Sequence, residues 1–71
     1  GPHQEEILHK MLRDGRLKRI IPLVPEVLKT AVAMELVSQT EADKLRAIAE
    51  RSGWAHLYLC EKADGSWILS S

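Results

Sequence analysis

Leu57-Tyr58-Leu59-Cys60-Glu61-Lys62-Ala63-Asp64-Gly65-Ser66-Trp67-Ile68-Leu69 is the stretch whose reading decides the fold. Upstream of it apolar residues recur at intervals of three and four, as on a helix; within it they alternate, as on a strand. Asp64-Gly65 is a strong turn signal between two such runs. A two-residue turn there would pair Cys60 with Leu69 and set Trp67 beside Lys62, mixing apolar with charged side chains. A type I turn over Ala63-Asp64 with Gly65 as the bulge residue pairs Leu59 with Leu69 and Glu61 with Trp67. That register collects Leu57, Leu59, Trp67 and Leu69 on one face, and register follows the buried pattern. The sequence therefore predicts a C-terminal β-hairpin in the second register. A lone hairpin is barely stable in water, so it must pack on the helices, on another copy or on a partner.

Working outward, Met34-Glu35-Leu36-Val37-Ser38-Gln39-Thr40-Glu41-Ala42-Asp43 reads as one helix ending and another beginning. Ser38 is placed to cap the second helix, Glu41 stands three residues later as in a capping box, and Val37 can staple onto Ala42. The second helix runs from about Gln39 to Ser52 with Ala42, Leu45, Ile48 and Ala49 inward, and Gly53 ends it. The preceding helix opens at Pro25, where a missing N–H costs nothing, and carries Val27, Leu28, Ala31, Val32 and Leu36 as its apolar stripe.

At the N-terminal end, Ile7, Leu8, Met11 and Leu12 mark a first helix over about Gln4 to Arg13, stopped by Asp14-Gly15. Leu17, Ile20 and Ile21 resume helical spacing, which predicts a short further helical piece closed by Pro22. Gly1-Pro2-His3 reads as a remnant of tag removal, which leaves residues 4–71 as a single domain, expected to be part of a longer protein. The expected fold class is α+β: three main helices and a C-terminal hairpin.

Seventy-one residues make one domain, and a chain of this size buries only roughly 60% of the surface its unfolded form exposes. Such a domain often leans on a partner. Ten Lys and Arg balance ten Asp and Glu, which removes the overall positive charge expected of a nonspecific nucleic-acid or anionic-membrane binder. Cys60 is the only cysteine, so no internal disulfide forms, and a reducing, cytoplasmic setting is expected. No apolar run reaches the length of a membrane span.

Chemistry-bearing constellations are sparse. His56 and Cys60 fall on one face of the expected strand but two pleats apart, beyond the hydrogen-bond reach a nucleophile and its base require. The two histidines outside the tag remnant, His9 and His56, and the one cysteine lack the paired spacings of a zinc site, and the isolated glycines form no phosphate loop. No catalytic residue, cofactor, metal or small-molecule substrate is expected, and the chain reads as a non-enzyme. Arg13, Arg16, Lys18 and Arg19 form the one basic cluster and are the candidate contacts for an anionic partner.

The expected function is a protein–protein interaction module (docking, adaptor or oligomerisation) of a larger intracellular protein. Leu57, Tyr58, Leu59, Trp67 and Leu69 are the candidate partner-binding residues, since aromatics concentrate at hot spots and a hairpin offers an unpaired edge. Three helices followed by a hairpin is also the order of a winged-helix DNA-binding domain, with the third helix as reader. Against that reading, the third helix is charge-neutral and the candidate wing carries Glu61 and Asp64 against Lys62 alone. A regulatory tail appended to an enzyme is a third class.

Overall fold

The computed structural model describes residues 3–71. Gly1 and Pro2, read above as part of a tag remnant, lie outside the described residues. The elements are α1 (Gln4–Arg13), β1 (Leu17–Pro22), α2 (Pro25–Ala33), α3 (Gln39–Ser52), β2 (Tyr58–Lys62) and β3 (Trp67–Ser70). The three strands form one antiparallel sheet in the order β1-β2-β3. The fold is α+β as expected, with β2–β3 as the C-terminal hairpin.

The hairpin has the second register: Leu59 faces Leu69 and Glu61 faces Trp67. Gly65 N–H donates to the Lys62 carbonyl at 2.9 Å and Lys62 N–H to the Ser66 carbonyl at 2.7 Å, with Gly65 at φ +88°. That positive φ is what the bulge position demands and what glycine adopts without a Cβ clash. Asp64 locks the turn by accepting from the Ser66 backbone at 2.9 Å and from its hydroxyl at 2.6 Å, and these bonds hold its carboxyl below the usual range.

The segment expected as a short helical piece, Leu17 to Ile21, is the strand β1 instead. The ladder slips by one residue between Leu17 and Arg19, a β-bulge. In a regular strand residues three apart point to opposite faces, and the extra residue of the bulge restores Leu17 and Ile20 to the same one. The bulge thus imitates helical spacing. Ile20 packs on one side of the sheet and its neighbour Ile21 on the other.

Both faces are covered. On one side α2 and α3 bury Leu23, Leu28, Ala31, Ala42, Leu45 and Ala49 against Leu57 and Leu59. On the other, Leu8 of α1 meets Leu17, Tyr58 and Cys60, with Met11 and Ile20 alongside. Leu57, Tyr58, Leu59 and Cys60 are consecutive buried residues, so β2 is the central strand in both senses.

The helix ends follow local chemistry. α1 closes with Arg16 N–H on the Met11 carbonyl and Gly15 N–H on that of Leu12. α2 closes with the same paired pattern, Leu36 N–H on Ala31 and Glu35 N–H on Val32. Glycine holds the positive-φ position in the first; in the second it is Glu35, at φ +58°. Leu36, expected on the helical stripe of α2, lies past this reversal and packs on the core from the turn. Ser38 caps α3 by accepting from the Glu41 N–H at 3.1 Å. The Glu41 side chain lies 3.6 Å from the Lys44 ammonium.

Ser38→Ala should lower unfolding stability by about 1 kcal/mol in urea melts, and Thr40→Ala, at an exposed first-turn position, should be near neutral. A second expectation concerns pH. Burial, then the neighbouring Glu5 carboxylate, raises the Tyr58 phenol above its ordinary 10.0, and burial raises the Cys60 thiol above its ordinary 9.0. A group held protonated in the folded state contributes stability that is complete below its ordinary pKa and is lost as pH rises through the raised one. Stability should therefore decline on the alkaline side from about pH 9 upward, and Tyr58→Phe should shrink that decline; a profile unchanged by the substitution would contradict the assignment.

Candidate functional site

Alternation along the strands puts Arg19 and Ile21 of β1, Leu59 and Glu61 of β2, and Trp67 and Leu69 of β3 on the face beneath α2 and α3. These residues form two cross-strand rows, Arg19–Glu61–Trp67 and Ile21–Leu59–Leu69. In the first row Arg19 Nε lies 3.2 Å from Glu61 Oε1, with Glu61 largely covered and Arg19 mostly in water.

Helix α2 does not close completely over this surface. An apolar groove of about 400 Å³ remains, walled by Ile21, Val27, Leu36, Leu59 and Trp67. Met34, the residue after α2, is 63% exposed, the most exposed large apolar side chain described, and it stands at the same groove. Arg19 and Glu26 supply the charge at the rim. Arg19 is engaged by Glu61, whereas the Glu26 carboxylate has no ion-pair partner among the described residues.

The structure divides the expected partner-binding residues. Leu57 and Tyr58 are core residues, Leu57 toward the two-helix layer and Tyr58 toward α1, so neither side chain is offered to a partner. Leu59 is buried but reaches the floor of the groove, and Trp67 forms part of its wall. Leu69 is half-buried against the core. Sequence reasoning missed Ile21, Glu26, Val27, Met34 and Leu36 as groove residues. Met34 carried a readable signal, as a large apolar side chain at the end of an amphipathic helix and outside its inward stripe.

The basic cluster is dispersed. Arg13 borders a shallow depression with Glu5, Glu6 and His9, while Arg16 borders another beside Lys62 and Asp64. Arg19 is paired with Glu61. Each of these three cations has carboxylates for neighbours, and Lys18 sits at the bulge.

His56 is not on the strand; it precedes β2 in a turn, exposed, with φ +63°. Cys60 is fully buried and its thiol is held protonated, the opposite of what a nucleophile needs. Among the described residues, no three His, Cys, Asp or Glu converge as metal ligands, and no buried polar side-chain atom lacks a hydrogen-bond partner. No described helix is long and apolar enough to cross a membrane.

The winged-helix alternative fares differently on order and on layers. The hairpin does follow α3, but the sheet separates α1 from α2 and α3, so the three helices do not share one core. The outer side of α3 presents Glu41, Asp43 and Glu50 with Lys44 and Arg51, no positive surface for phosphates. No family model, curated protein or solved structure matches the chain.

With its cations dispersed and partly neutralised, the chain should show negligible duplex-DNA affinity at about 150 mM salt, where exposed charges are screened beyond roughly 8 Å. Fluorescence anisotropy against salt checks this. Tight binding with a steep log-log slope, near −0.9 per neutralised phosphate, would mean that Arg13, Arg16, Lys18 and Arg19 act together after all.

Proposed function

We propose that the chain is a protein–protein interaction module that takes a partner's apolar side chain into the groove beside α2. The observation that carries the reading is the groove itself, an open apolar recess with Trp67 in its wall and exposed Met34 beside it. A flexible thioether beside a rigid indole adapts to partner side chains of different shape, and both residue types are favoured at interfaces. Apolar surface of this kind is otherwise a liability on a small domain.

Rim charge narrows the partner. With Arg19 held by Glu61 and Glu26 unpaired among the described residues, the complementary segment carries a large apolar anchor next to a Lys or Arg. Matching charges at the rim contribute to selectivity and encounter rate more than to affinity. The anchor supplies the affinity.

Selection from a displayed peptide library should enrich segments with a large apolar residue flanked by Lys or Arg. Met34→Glu, at an exposed position that the core does not use, should weaken the enriched peptides about tenfold or more. Glu26→Lys should shift the flank preference toward acidic residues. A library that yields no peptide above background, or peptides that bind Met34→Glu as well as wild type, refutes groove docking.

A further inference from the structure

The two edges of the sheet are built differently. Leu23 N–H donates to the Leu57 carbonyl, and the register places Arg19 and Ile21 in the same bonding phase, so Ile20 and Pro22 turn their backbone outward on the β1 edge. Pro22 has no N–H to offer there, the bulge at Lys18 breaks the line, and Lys18 and Arg19 charge it. These are the devices by which an edge strand is kept from pairing with another chain.

The β3 edge has none of them. Trp67-Ile68-Leu69-Ser70 contains no charge, no proline and no bulge. The bond from Lys62 N–H to Ser66 sets the phase of the hairpin, so Ile68 and Ser70 bond to β2 while Trp67 and Leu69 direct their N–H and C=O groups outward. No backbone hydrogen bond from another element meets them among the described residues. Between them, Ile68 points to the α1 side of the sheet and is 37% exposed.

We propose that this edge pairs with the β3 edge of a second copy of the chain, antiparallel about a two-fold axis through Ile68, to form a continuous six-stranded sheet. The geometry is self-complementary. Trp67 of each copy stands opposite Leu69 of the other and exchanges both backbone bonds with it. The two Ile68 side chains meet as a non-hydrogen-bonded pair, with Cα atoms about 4.5 Å apart, which covers the exposed apolar residue. No charge lies across the axis to oppose the pairing, and a chain of zero net charge adds no long-range repulsion. The contact is short, so the dimer dissociates on dilution. It uses the strand edge rather than the groove, and stands or falls separately from peptide docking.

Sedimentation equilibrium of the 71-residue chain from micromolar to millimolar concentration should show reversible monomer–dimer behaviour. Amide exchange on the same samples should show protection of Trp67 and Leu69 N–H that grows with concentration. Ile68→Lys should return the monomer and Ile68→Glu likewise, while an equimolar mixture of the two should recover the dimer, because the substituted residues face each other across the axis. Met34→Glu should dimerise as wild type does, and Ile68→Lys should still bind groove peptides. A chain that stays monomeric at every concentration, a dimer whose Trp67 and Leu69 amides remain unprotected, or an Ile68→Lys chain that dimerises unchanged overturns the proposal. Should the lysine variant fail to fold, the exchange measurement on the wild-type chain decides.

Discussion

Burial of β2 on both faces is the constraint from which the rest of the molecule follows. A strand whose residues alternate between two cores needs an apolar layer above and below, and a strand hydrogen-bonded at both edges needs a neighbour on each side. Leu57 and Leu59 call for the α2–α3 layer, Tyr58 and Cys60 for α1, and the backbone between them for β1 and β3. Three layers from so short a chain leave each of them thin. That thinness is why α2 covers its side of the sheet incompletely and why a groove survives beside Trp67.

The same economy explains the chemical character of the surface. Among the described residues, buried polar side chains are few and satisfied, the one thiol is locked in the core, and charged residues lie outside in mixed neighbourhoods. What remains to distinguish one part of the surface from another is shape and apolarity. On the proposed reading, recognition would rest on fitting side chains and strand edges, with charge as a secondary guide.

Much of this was legible in the sequence because it is local. The capping serine at 38, the Asp14-Gly15 stop, the proline start at 25 and the bulged turn at Gly65 are each decided within a few residues, and all stand where their chemistry puts them. β1 was not legible in the same way. Its pairing partner lies some forty residues away, and its bulge gave Leu17, Ile20 and Ile21 the spacing of a helix. The adjacent pair Ile20-Ile21, β-branched and apolar on both sides, was the available sign of a strand buried on two faces. The candidate site failed where it depended on that strand: without a second neighbour for β2, Leu57 and Tyr58 read as a free surface. Trp67 was readable as an aromatic on the inward face of the hairpin, but the groove it borders exists only once α2 lies across three strands.

The β1–β2 ladder also closes a long loop of the chain. Residues 23–57, containing both α2 and α3, lie inside the loop that this ladder closes. Closure of a long flexible loop is entropically expensive, and prior formation of the capped helical pair shortens the chain that must be ordered. The hairpin β2–β3 and the pair α2–α3 are joined by local contacts, whereas β1 pairs only with β2, across the segment that holds both helices. Helix α1 gains its full packing surface only when Leu17 and Ile20 join Tyr58 and Cys60. Substitutions in the capped helical pair would then register chiefly in the folding rate, and those beneath α1 chiefly in the rate of unfolding.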